Sequence, residues 1–422
     1  MTKITKFATV LTAMTCARAI AAEPVTITVR TGEYDRVNVP IRFTLDAEHA
    51  PSKGTQFTLV EKVDRDSRIA RAFPAQVEHR PDGTAEVFAM VTFTRSTESD
   101  PRMELIPVIN NALPSSLRTQ IVDDQLVLSR RDAELLRYQI TPMRNARGGE
   151  RFPVSSFIHP LRTPSGFVLT EIQPDDHLHH LGVWWPWKFL SVEGKQFNGW
   201  EMQEGQGVVR GIEVREHHAG NVCASFTAIS RVIDRKNYSQ ERVILNEEAE
   251  VRVWPARVNK LNGYFLDITL THTPAVDQPV QVVNYRYSGF SIRGPKGWNR
   301  HNSTILTSEG KTRDDSNATP ARWVRVEGET GSETADGKAG WIMMFHPDNE
   351  NHPEKLRTWD SRNHDGAIFI NVNPVQDKPL TIQPNQPHIR RYRLFVYDGQ
   401  MEPSTAEALW RDYAMPPEVV VE

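Results

Sequence analysis

Asp175, Asp176, His177, His179 and His180 fall within six positions of the chain. Imidazole and carboxylate at this density suit three chemistries. Two or three convergent imidazoles with a carboxylate from Asp175, Asp176 or Glu201 would hold a divalent metal, here at His177/His179/His180. Alternatively, His179 or His180 moves a proton, since an unperturbed imidazole titrates at about 6.5, and Glu201 or Glu204 is the partner carboxylate. The third reading is a set of hydrogen-bonded structural histidines. In an extended segment, His177 and His179 would point to one face and His180 to the other.

Trp184, Trp185, Trp187 and Trp200 follow closely. An indole offers a broad apolar face and one N–H donor, which suits stacking on a sugar ring. The alternative is that they seal the edge of a β-structure. His346 and His352 each precede a proline after an apolar run, and with Arg293 and Trp298 they are placed where strands end, a common location for sites. His346 is expected on the wall opposite the histidine cluster. Arg162 and Arg293 could clamp a carboxylate or a pair of sugar hydroxyls through the guanidinium fork, or serve as salt-bridge partners. Phosphate-loop, dinucleotide, serine-hydrolase and cysteine-protease signatures are absent from the sequence. Cys223 reads as an inert buried thiol.

The elements that must position these residues are strands. Short β-branched or alternating runs at 25–30, 40–45, 56–63 and 85–94, set off by turn residues, predict an N-terminal β-sandwich over 23–117. A second domain over 118–422 is expected to be a large antiparallel two-sheet body. Its long alternating strands lie at 208–216, 224–234, 242–254, 264–272 and 280–287, with further strands at 341–345, 367–372 and 388–397. The polar residues 308–338 read as loops. One helix is expected, Ser404 to Tyr413, capped by Ser404. The fold class is mainly β.

The chain of 422 residues is 39% hydrophobic and 24% charged, with a formal charge of -3, so it can build a core and lacks the basic footprint of a nucleic-acid binder. Beyond the N-terminus no run is long enough for a membrane span. Residues 1–22 place Lys3 and Lys6 before a short apolar stretch and end in Ala19-Ile20-Ala21, the pattern of a cleaved export signal. Cleavage there would remove Cys16 and leave Cys223 alone, so a periplasmic or secreted bacterial location without a disulfide is expected.

His159-Pro160-Leu161-Arg162-Thr163-Pro164-Ser165-Gly166 and Asp176-His177-Leu178-His179-His180-Leu181-Gly182-Val183-Trp184 resemble motifs of the PmoA-like family of unknown function, labelled "methane oxygenase PmoA". Gly289-Phe290-Ser291-Ile292-Arg293 and the His-Pro pairs at 346 and 352 match it too, over roughly residues 125–400. Where the family shows a Trp-Val-Asp-Tyr-like stretch, this chain has Trp323-Val324-Arg325-Val326, so no acidic role transfers there. A membrane monooxygenase subunit needs several apolar spans, and the label is therefore not taken as chemistry. The resemblance implies an exported bacterial sugar-processing protein with a galactose-mutarotase-like super-sandwich. The expectation is a carbohydrate-active epimerase, hydrolase or lyase whose ligand is a sugar or oligosaccharide. A non-catalytic sugar binder and a metal-dependent enzyme are the alternatives.

Overall fold

The computed structural model describes residues 24–422 apart from 54, 64–67, 95–99, 109–114 and 146–148. The expected export signal, residues 1–22 with Cys16, lies outside the described residues.

The alternating runs between 207 and 274 become four antiparallel strands, Gly207–His218, Ala224–Asp234, Arg242–Val258 and Leu261–Pro274. Val251 lies opposite Ile268 and Val253 opposite Leu266, apolar cross-strand pairs that fix the register. The last two strands are joined by a two-residue turn, and its first residue, Asn259, takes a φ of +54°, as such hairpins require. Ser303–Thr307, Trp323–Glu329, Lys338–Phe345 and His388–Asp398 extend these four into an eight-stranded back sheet. A second eight-stranded sheet, the front sheet, runs in the order Leu117–Val122, Gln125–Arg130, Ala133–Gln139, Phe157–Leu161, Val183–Trp184, Ser291–Arg293, Phe369–Asn373, Lys355–Thr358.

The main core lies between the two sheets. Leu136, Ile158, Val183, Ile292 and Ile370 of the front sheet and Val251, Leu266, Ile268, Val326 and Leu394 of the back sheet belong to it. Each such side chain contributes roughly 1.5–3 kcal/mol when taken fully from water. The back sheet is also covered on its other side, where Trp254, Phe265, Ile342 and Phe395 meet Phe88 and the helix residues Ala406, Leu409 and Tyr413. Burial on both faces explains the unbroken apolar run Trp341 to Phe345. On the front sheet's other side Phe157, Trp184 and Phe369 pack with Leu181, Trp200, Met202 and Trp359 in a smaller apolar cluster.

Several expectations are corrected. The N-terminal strands, Val25–Arg30 to Arg102–Pro107, form one seven-stranded antiparallel sheet rather than a two-sheet sandwich. It curls until its edge strands, Arg36–Leu45 and Glu418–Val421, touch. Its last strand comes from the C-terminal end of the chain, so the boundary at 117 does not separate the two units in space. Alternation along a strand shows which face is buried and says nothing of which strand pairs with it. The helix spans Pro403–Ala414, with Pro403 in the first turn and no side-chain cap, so Ser404 does not cap it. Within 308–338 lies the buried strand Trp323–Glu329, hidden by polar residues that turn out to be paired: Glu327 accepts hydrogen bonds from the Tyr397 hydroxyl (2.8 Å) and the Met401 amide (2.6 Å). The strand expected over 280–287 ends at Val282, which leaves Tyr285 and Tyr287 in a loop.

Candidate functional site

Residues 171–182 return on themselves between two front-sheet strands. Gln173 N–H donates to the His180 carbonyl (2.7 Å) and Gly182 N–H to the Glu171 carbonyl (3.0 Å). Within this loop His177 N–H bonds to the Pro174 carbonyl and His180 N–H to the His177 carbonyl, so the chain turns rather than running extended. The alternation of faces does not apply, and the three rings gather. His177 stacks on His180 at 4.6 Å between centroids, and His179 meets His177 at 5.4 Å and His180 at 4.9 Å. Gly182 anchors the exit: its φ is +74°, and a Cβ there would sit 2.4 Å from the Ile158 carbonyl oxygen.

The sheet supplies the floor. His180 is 2% exposed and lies between Phe369 (4.7 Å) and Trp184 (5.1 Å). Trp359 closes the side, 4.9 Å from His177 and 4.4 Å from His364. Arg293, buried on the same sheet face, donates through Nη2 to both oxygens of Asp176 (3.0 and 3.2 Å) and lies over Trp359 at 4.8 Å. Its Nη1 has no partner. Asp176 also faces His364 Nδ1 at 3.3 Å and His177 Nδ1 at 3.7 Å. A hollow of about 230 Å³ lined by Glu171, Asp176, Arg293, Lys296 and Trp298 opens beside this group.

A second network adjoins His179. The buried Lys188 ammonium is paired with Glu201, and the Tyr287 hydroxyl donates to the other Glu201 oxygen at 2.6 Å. Asn371, fully buried, holds the Ser288–Phe290 backbone, and the Ser288 hydroxyl accepts the Lys188 N–H (2.9 Å), so both arms are fixed. Burial pushes the Glu201 carboxyl up, but Lys188 and Tyr287 outweigh it and hold it below the usual carboxylate range. Burial presses His179 down to about 4 against the pull of Glu201, and presses His180 well below its ordinary value. Gln203 donates its side-chain amide to His179 Nδ1 at 3.1 Å.

Of the expected site residues, His177, His179, His180, Glu201, Trp184, Trp200 and Arg293 are gathered on this face. Glu204 is exposed and accepts a hydrogen bond from Gln206 (3.1 Å), outside the cluster. The four tryptophans are only 1–2% exposed and offer no face to a ligand. Trp185 donates to the buried Glu247 (2.8 Å) in the sandwich core, and Trp187 lies under the Arg390 guanidinium (3.9 Å). Arg162 bonds Glu134 (3.3 Å) and the Gly166 carbonyl (3.1 Å), fixing the turn that the Thr163-Pro164-Ser165-Gly166 motif builds. His346 and His352 are elsewhere. His346 lines a cleft of about 450 Å³ beneath the N-terminal sheet, and His352 stacks on Trp410 of the helix at 6.5 Å. Buried Cys223 is pushed up to about 12 by burial, as an inert thiol should be. Sequence reading missed Lys188, Tyr287, Trp359 and His364. Lys188 stands inside the tryptophan-rich stretch, but nothing near His364 marked it.

Residues 125–411 match the model of a family described as "Family of unknown function (DUF6807)". The chain belongs to this family. Its extent agrees with the 125–400 expected from the motifs, and its description names no activity. No curated protein matches the DUF6807 chain. A solved structure described as a galactose mutarotase related enzyme from Lactobacillus acidophilus is similar over 68% of this chain and 98% of that one, at 9% identity and a TM-score of 0.29. A score that low carries no inference, and the two-sheet body is read from the strand pairing above. Among the described residues, no helix is long and apolar enough to cross a membrane.

Proposed function

We propose that the outer face of the front sheet binds a sugar and performs proton transfer at or next to the anomeric carbon, as an epimerase, hydrolase or lyase would. The observation that carries this reading is the junction of His179 with the Lys188–Glu201–Tyr287 network. With Gln203 donating to Nδ1, the ring proton of neutral His179 sits on Nε2, where it is offered to the oxygen that gathers charge. Glu201 is too buried to meet a substrate, so the half-exposed Tyr287 hydroxyl takes the substrate's proton on its oxygen while handing its own proton to the Glu201 carboxylate to which it donates. His180 and Trp184 form the floor rather than reacting. The basic, apolar and small-residue order of residues 1–22 supports export to the periplasm or beyond. The PmoA-like label remains a motif resemblance without an oxidative role.

The test is a screen of mono- and oligosaccharides, including oxidised (keto) sugars, for a rise in melting temperature and for turnover. His179→Gln should lower turnover by about 100-fold at unchanged melting temperature, within the range removal of a general acid or base produces. A wild-type protein that binds sugars and turns over none of them would instead make this a binding module.

A further inference from the structure

The loop histidines face a residue from a distant part of the chain, and together they make a different ligand set from the one expected. Asp176, His177 and His364 each offer a ligand atom, all within 4.8 Å of one another. We infer that these three residues form a divalent transition-metal site at the rim of the front-sheet pocket. The inference stands apart from the sugar reading, because it needs no substrate.

The distances support it. Ligands about 2.0–2.1 Å from a tetrahedral zinc ion stand about 3.3 Å apart. His364 Nδ1 lies 3.3 Å and His177 Nδ1 3.7 Å from Asp176 Oδ2, so two of the three edges are already close to that length. His177 Nδ1 is buried and has no hydrogen-bond partner, an orphan that a metal would satisfy. The Arg293 guanidinium orients the Asp176 carboxylate, as outer-shell groups do at metal sites. His364 and Asp365 hold φ values of +49° and +55°, a conformation disfavoured for side chains of their size, and this bend directs His364 to Asp176. Two imidazoles and one carboxylate leave coordination positions for water or a substrate oxygen, the arrangement of catalytic rather than structural sites. The half-exposed side chains leave that side open. His179 bonds Gln203 and His180 is enclosed by Phe369 and Trp184, so neither belongs to the set.

The experiment is cobalt(II) and zinc(II) titration of the purified, chelator-treated protein, read by visible absorption and calorimetry. One equivalent of cobalt should bind with d–d bands in the visible. His364→Ala and Asp176→Asn should each weaken it at least tenfold, while His346→Ala, in the rear cleft, should leave it unchanged. Absence of stoichiometric binding, or binding that both His364→Ala and Asp176→Asn retain, overturns the site. Sugar-dependent stabilisation measured in chelator reports on the proton-transfer reading separately, so either can fail alone.

Discussion

The outer side of the front sheet and the cleft behind the back sheet both concentrate charge, and they differ in how that charge is satisfied. In the rear cleft Arg393 grips Asp267 (2.5 and 2.8 Å), Arg252 meets Glu78 (3.2 Å), and His346 and Arg391 lie 3.6 and 3.9 Å from Asp348. Arg252–Glu78 joins the N-terminal sheet to the body, and Arg393–Asp267 ties two neighbouring strands of the back sheet. At the front, Arg293 Nη1, His177 Nδ1 and His180 Nδ1 have no partner, although they lie among aromatic rings. Closed pairs hold neighbouring strands and packed layers together. Buried groups left open cost free energy unless water, an ion or a ligand satisfies them. The cleft is larger than the front hollow, yet these unpaired groups lie at the front.

The strongest test of this contrast is Arg393→Met. It leaves the Asp267 carboxylate with the Trp254 N–H but no opposite charge and should cost about 3 kcal/mol in denaturant unfolding, with sugar and cobalt responses intact. A loss below about 1 kcal/mol, or a lost front response, would break the division. Next comes pH. Burial, with Arg390 and His272 alongside, depresses His388 to about 3, with Glu350 Oε2 3.8 Å from its Nδ1, and burial beside Arg162 depresses His159 to about 4. An unfolded histidine takes up its proton near pH 6.5 while these folded ones stay neutral, so the unfolded state binds more protons below that pH. Stability should therefore fall from pH 7 to 4.5, and His388→Gln should remove about 2 kcal/mol of that fall. An unchanged slope would show that His388 is not held neutral. Tyr287→Phe should cost about 1 kcal/mol of stability for its lost hydrogen bond and lower turnover about tenfold. Turnover at the wild-type level would remove Tyr287 from the proton path. Least affected should be Arg162→Ala, whose partly exposed pair is worth about 0.5 kcal/mol and whose loss should leave ligand responses alone. A clear drop in sugar affinity would return Arg162 to the site.

The sequence by itself determined the β class, the long antiparallel strands of residues 207–274, and the crowding of imidazole and carboxylate at 175–180. These follow from period-two alternation and local composition, which short-range rules can read. It also marked Arg293 and Glu201, though not their partners. Only the tertiary structure decided that the four tryptophans are core, that His346 and His352 belong to another face, and that His364, Trp359 and Tyr287 join the histidine loop. Alternation records whether a side chain faces inward or outward, but not which distant strand lies beside it. In an antiparallel sandwich that pairing brings residues far apart in the chain onto one face.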